Sequence, residues 1–437
     1  MADSEGAPPP PPPPPVSDLH GASMWASAVT GADGYIYALP CNASRILRLG
    51  PDGSSELFGP VFDEQTWKWT VGILGPDGCV WGIPGNAQRV LCIYPSGRVE
   101  FVGPNFDGTQ KWHYAVLAGD GCIYAPPCDA GQVLRIDCAR QSISLIGPIL
   151  GGVGKYCAAA VAADGNVYCP PNHAPHVLRV TTATKQVHHI GPNLSFAGGG
   201  GYTAAATGSD GHVYAPPFSA NQALRILVGT EASVEQYGPV FAPQAHKWRV
   251  AQAAPDGCIY APPCNANKVM KFDCQEEGLI SLIGPEMPCE PQPEGVEKWR
   301  TCVLAGNECI YALPSHAKQV LRIKTGEAAR QSPTSAELEA EKMRRYLEEE
   351  ARLAKEVAAA PQEASDAGSL QEDDDEEENS EAEDVEEWPE EECDGVSLWG
   401  PVFQPKRIGG EYFFLAGMPL MFMDFGAPFE TGSLDGS

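Results

Sequence analysis

The nine residues DGCIYAPPC occur twice, at 120–128 and at 256–264. Identity over so many positions so far apart marks an internal repeat, and a repeat constrains a fold more tightly than composition does. Shorter versions fill the gaps: DGYIYALP, DGCVWGIP, DGNVYCPP, DGHVYAPP and, in the last copy, NECIYALP. The seven anchors are Asp33, Asp77, Asp120, Asp164, Asp210, Asp256 and Asn307, spaced 44, 43, 44, 46, 46 and 51 residues apart. Other residues keep step with them. Eight before each anchor stands Trp or Tyr, four after it another aromatic, seven after it Pro, and ten after it Ala. A Gly-Pro pair closes each of the first six copies, as in LFGP and LIGP.

Each copy resolves into four short strands, which in the second are WTVGIL, CVWGI, RVLCIY and RVEFVG. Asp-Gly makes the first tight turn, because glycine tolerates the positive φ that a hairpin needs. Proline lies in the loops, where no ladder amide is required. Four strands in about 44 residues is the size of a propeller blade. Gly 47 and Pro 41 suit such a turn-rich chain. Stacked blades bury both faces of their inner strands, which explains unbroken apolar runs such as AVLAG. The aromatics at −8 and +4 are expected to fill the wedges between blades.

The fold class expected is therefore all-β: a seven-bladed β-propeller of four-stranded blades, with a helical and acidic insertion in the last blade. The seventh copy stops after its third strand, VLRIKTGE, and its fourth reappears as GVSLWGPVF at 395–403, the counterpart of SELFGPVF at 55–62. The expected organisation is a polyproline tail at 1–19, blades at 20–325, an insertion at 326–394, the final strand with a C-terminal hairpin at 395–425, and a tail at 426–437. The hairpin EYFFLAGMPLMFMDF is read as packing on the rim, with an eighth half-blade as the alternative. Within the insertion, 334–360 reads as one amphipathic helix that is either solvated or partner-binding. Residues 372–394 hold 16 acidic side chains and are disordered by composition.

The pattern DG-x-[IV]-Y-x-x-P-x-x-A-x-x-VL resembles the β-propeller repeat superfamily, in the manner of YVTN-type and gluconolactonase-like repeats. The resemblance covers about 20–325 and 395–403 and speaks for fold, since propellers host unrelated activities. Gluconolactonase-like enzymes hold a metal on acidic and Asn ligands from separate blades. Asp129 with Asn42, Asn86 or Asn265 stands in loops that would imitate such a site.

A net charge of −28 argues against nucleic acid and against anionic membranes as partners. No apolar run reaches the length of a membrane span, and the N-terminus lacks the features of a secretory signal. Fifteen cysteines without a CxxC pair read as reduced structural thiols in a cytoplasmic protein. The proline run at 8–15 is a polyproline II spacer or an SH3/WW-type ligand.

Two repeated slots fall on one face of the propeller, in the loops entering strand one and those joining strands two and three. The first holds Lys68, Lys111, Lys155, Lys247 and Lys298, each just before the −8 aromatic. A lysine ring would hold an anion; the plainer reading is solvated ammonium groups on stems that cover the aromatics. The second slot, nine after the anchor, holds Asn42, Asn86, Asp129, His173, Ser219, Asn265 and His316. These side chains either satisfy loop amides or ring a ligand. Basic residues at +15, from Arg48 to Arg322, read as structural ion pairs. His173 and His176 form an HxxH with no third metal ligand nearby, and no GxSxG, P-loop or HExxH occurs. No catalytic residue, cofactor or metal is expected. The reading is a monomeric, non-catalytic scaffold that binds a protein or anionic partner on the face carrying these slots. The helix and the polyproline tail would add contacts, and the acidic insert would compete. The alternatives are a lactonase, lyase or hydrolase with its pocket at the channel mouth, and a sugar binder using exposed Trp and Tyr.

Overall fold

The computed structural model describes residues 24–63, 65–194, 196, 200–243, 246–287, 297–326, 343–344, 394–399, 406–408 and 411–413. Twenty-eight of its strands form seven four-stranded antiparallel sheets, and β29 (Lys406–Ile408) pairs with β30 (Glu411–Phe413) as a separate ribbon. All seven sheets take their strands in sequence order. Blade one, for instance, is β1 (Trp25–Thr30), β2 (Ile36–Pro40), β3 (Ile46–Leu49) and β4 (Ser55–Phe58). Blade seven is β25 (Trp299–Leu304), β26 (Cys309–Pro314), β27 (Val320–Lys324) and β28 (Val396–Trp399). β28 joins across the insertion as the repeat predicts, pairing Leu321 with Leu398 and Ile323 with Val396. The seven-bladed propeller is thus the observed fold. The polyproline run, the acidic stretch up to 393 and the expected helix at 334–360 lie outside the described residues, save Met343 and Arg344, which are helical and exposed.

The anchor residue earns its recurrence twice. In the first hairpin turn of blade three, Asp120 Oδ1 accepts the Cys122 amide at 3.1 Å, and its Oδ2 accepts the Tyr124 hydroxyl at 2.7 Å. The same hydroxyl contact recurs at Tyr37, Tyr168, Tyr214 and Tyr260, at 2.5–2.8 Å. Asn307 keeps it in reverse, donating from Nδ2 to the Tyr311 hydroxyl at 2.9 Å. The −8 aromatic is equally well explained. Trp69 Nε1 reaches the Arg89 carbonyl at 2.9 Å, and Tyr156 OH reaches that of His176 at 3.0 Å. Indole and phenol thus donate to the same carbonyl, 20 residues on, which is why either suffices.

Between blades the aromatics form the wedges. Tyr124 and Tyr156 share one buried cluster, Tyr168 and Tyr202 the next, Tyr260 and Trp299 another. Each such side chain is almost fully buried and stabilises the junction by roughly 2–3 kcal/mol. At the outer rim the Gly-Pro glycines let neighbours close up. Gly147 has φ 82°, and a Cβ there would stand 2.6 Å from Val187 Cβ of the following blade. The +15 bases pair within their own blades, as Arg225 does with Glu235 at 2.6 Å.

Candidate functional site

Strand one runs away from the mouth and strand two returns to it. The −9, −7, +8 and +9 positions therefore meet at one end of the ring. The main chain there forms a repeating latch. The −9 amide of each of blades two to seven donates to the +8 carbonyl of the blade before it, as in Lys111 N to Gly85 O at 3.1 Å and Gly201 N to Asn172 O at 2.7 Å.

The lysines occupy these latches and are not solvated. Lys68, Lys111, Lys155, Lys247 and Lys298 are all 1–4% exposed. Lys68, Lys111 and Lys155 fold back onto carbonyls three residues earlier, at 2.6, 2.8 and 2.5 Å. Lys298 Nζ donates to the Ala266 carbonyl at 2.7 Å and also to that of Met287. Burial pushes the ammonium groups of Lys111 and Lys247 down to about 8. Such groups tie loops together and do not present a charged ring to solvent.

The +9 side chains do the same across the junctions. Asn42 Oδ1 accepts the Trp67 amide at 2.9 Å, Asn86 Oδ1 that of Gln110 at 2.8 Å, and Asp129 Oδ1 that of Gly154 at 2.6 Å. Asn265 is half-buried in the matching loop, and His316 Nδ1 lies 3.1 Å from the Glu297 carbonyl. His173 is exposed; His176 Nδ1 instead lies 3.2 Å from the Gly191 carbonyl. Among the described residues no three His, Cys, Asp or Glu side chains converge in a metal-ligating arrangement. Every described cysteine is free, and burial lifts thiols such as Cys41 and Cys258 to about 11. The −8 tryptophans Trp69, Trp112, Trp248 and Trp299 are 0–3% exposed, so none is offered to a sugar.

One cluster breaks the repeat, and reading the sequence missed it. At −10, Trp67, Gln110, Gly154 and His246 share a positive φ of 48–60°. Glu297 fills this slot in blade seven without that φ, and its side chain is 1% exposed. At −7, where other blades carry Ala26, Thr70, His113, Cys157 and Thr203, blades six and seven carry Arg249 and Arg300. Arg249 Nη1 contacts Glu297 Oε1 at 3.1 Å, His246 Nδ1 contacts it at 2.7 Å, and Arg300 Nε pairs with Oε2. Arg249 also lies over the Phe218 ring, 5.4 Å from its centroid, and that ring stacks on His246 at 4.4 Å. Burial alone would raise the Glu297 carboxyl; the His246 hydrogen bond and the two guanidinium charges outweigh it and hold the group at about 2. Among the described residues the cluster thus gathers two permanent cations around one buried carboxylate. A second anion is the natural complement of such a set. The sequence signal was the long approach: Glu297 follows the closing Gly284 by 13 residues, against seven to nine in the other blades.

Comparison with known proteins supports the architecture. No protein-family model matches the chain, and no curated protein matches it in sequence. Among solved structures it is similar to a streptogramin B lyase, with TM-score 0.51 and 15% identity over 67% of this chain and 91% of the other. It is similar also to a catalytically inactive virginiamycin B lyase variant from Staphylococcus aureus with quinupristin, with TM-score 0.50 and 16% identity over 68% and 94%. At such identity the likeness defines the class of protein, a β-propeller, and nothing finer. The likeness to a gluconolactonase, at TM-score 0.35, carries no weight for or against the metal site considered above.

Proposed function

We propose that the protein is a non-catalytic binding module that takes an anionic group of a protein partner at the mouth beside blades six and seven. The observation that carries this reading is the Arg249–Arg300 pair set against the single carboxylate of Glu297. Aliphatic side chains on loops at the same end of the blades would supply apolar contact: Val61, Ile149, Val153 and Val240 are 66–83% exposed. Loops on rigid scaffolds are where binding residues concentrate. The lysine and +9 slots, given over to latching, enter this reading as the frame that positions the mouth. The acidic stretch at 372–394 is an internal competitor for the same cations, and a cytoplasmic setting agrees with the free cysteines. The lyase likeness speaks for fold alone and adds nothing to an enzymatic reading.

The test is a titration of the chain lacking 371–394 with a synthetic peptide of that stretch. Saturable binding, weakened by salt and lost on Arg300→Gln with unchanged circular dichroism, is expected. Absence of binding at low salt, or equal binding by the variant, overturns the reading.

A further inference from the structure

Six of the seven blade junctions share one construction. Residues at +4 and +13 of each blade pack on residues at +3, +14 and +16 of the next. The junction of blade seven with blade one departs from it on both sides. On blade one, Ile36 is 37% exposed, whereas its counterparts in the other six blades are 0–1% exposed. Leu47 and Leu49 are half-buried where their counterparts are buried. On blade seven, Tyr311, Leu313 and Val320 are half-buried, and all their counterparts are buried. Among the described residues no buried cluster and no −9 to +8 latch joins these two blades.

The outer strand tells the same story. Residues such as Val99, Ile143, Val187, Ile280 and Val396 open strand four and receive the closing glycine of the preceding blade. Ser55 occupies that register in blade one, opposite Leu49. A serine there offers no aliphatic surface for blade seven to close upon. Two facing sets of apolar side chains that are only half-buried, where every other junction buries them, call for a cover.

We propose that residues 409–425 of this same chain fill the seam, as an apolar wedge between blade seven and blade one. The chain leaves β28 at Trp399, which is 51% exposed and packs edge-on against Tyr311 with ring centroids 5.6 Å apart. The wedge segment therefore begins ten residues from the seam's own edge. It reads GGEYFFLAGMPLMFMDF, with four Phe, three Met and two Leu. Methionine and phenylalanine suit an irregular apolar gap. The segment before β1 is no rival, since residues 1–23 offer only Met1, Val16 and Leu19 as large apolar side chains.

The experiment places photoreactive benzoylphenylalanine at Phe422 in the full chain and maps its crosslinks. Capture of peptides containing Ile36 or Tyr311 of the same molecule is expected. Capture elsewhere, or only between molecules, overturns the wedge. A chain ending at residue 408 provides the second measurement. It should lose slow amide exchange over 25–49 and 301–324 while blades three to five keep theirs, and a 409–425 peptide added in trans should restore it. Unchanged protection in the shortened chain would mean that the blades close on each other directly.

Discussion

Replacing Glu297 by Gln removes the buried carboxylate that Arg249 and Arg300 both contact. The carboxyl sits at about 2 against an ordinary value of 4.5. Each tenfold in proton affinity corresponds to 1.36 kcal/mol, so the ionised group contributes about 3 kcal/mol to folding at pH 7. Arg300 runs the other way, because burial lowers its proton affinity by more than Glu297 restores. The carboxylate is the better gauge, since the cationic contacts converge on it and its loss strands two guanidinium groups, a cost of about 3–5 kcal/mol. The carboxyl value is depressed on folding. Its stabilisation is therefore complete above pH ~4.5 and fades as pH falls toward about 2. Urea unfolding of both proteins should show E297Q less stable by about 3 kcal/mol at pH 7, with the gap closing below pH ~4. A gap under about 0.5 kcal/mol at pH 7, or one that stays constant down to pH ~3, would refute the reasoning.

Three further outcomes follow from the repeat. Tyr124→Phe removes the 2.7 Å bond to Asp120 and should cost about 1.5–3 kcal/mol in denaturant melts, more than a surface substitution would. Gly147→Ala meets both a φ of 82° and Val187 at 2.6 Å, whereas Gly165→Ala meets a φ of 75° and open space; Gly165→Ala should cost about 1–2 kcal/mol and Gly147→Ala clearly more by thermal melting. Lys111, held at about 8, binds its proton less tightly folded than unfolded. The Lys111 contribution to stability therefore rises between pH ~8 and ~10.5, by about 1–2 kcal/mol after allowance for solvent near the ammonium, while the buried thiols, lifted to about 11, contribute with the opposite sign. The difference in stability between wild type and Lys111→Met should accordingly shift in favour of wild type by that amount across this window.

The architecture was legible because each repeated residue has a local, chemically specific task. Asp before Gly fixes a turn and a tyrosine at once, and that pairing shows in spacing alone. The return of blade seven's last strand was legible too, because GPVF at 400–403 repeats the GPVF that ends blade one at 59–62. The lysines were harder. A charged side chain reads as surface, and nothing in the sequence tells that a carbonyl three residues back waits for its ammonium. The +9 amides look like ligands for the same reason: their partners belong to the next blade, more than 20 residues away. Glu297, Arg249 and Arg300 escaped notice because they matter as exceptions, and the eye follows what repeats. The counterpart lesson concerns Ile36, which matches its peers in type and whose exposure shows only in three dimensions, and Ser55, whose departure from aliphatic peers shows only once the outer strands are in register.

The central claim is that a strand arriving after residue 394 completes the seventh blade in register with β27. Hydrogen exchange of the Val396–Trp399 amides tests it most directly. Exchange as slow as that of β24 (Leu279–Ile283), the outer strand of blade six, is the predicted result. Exchange at the rate of an unstructured peptide, with blade six still protected, would contradict it.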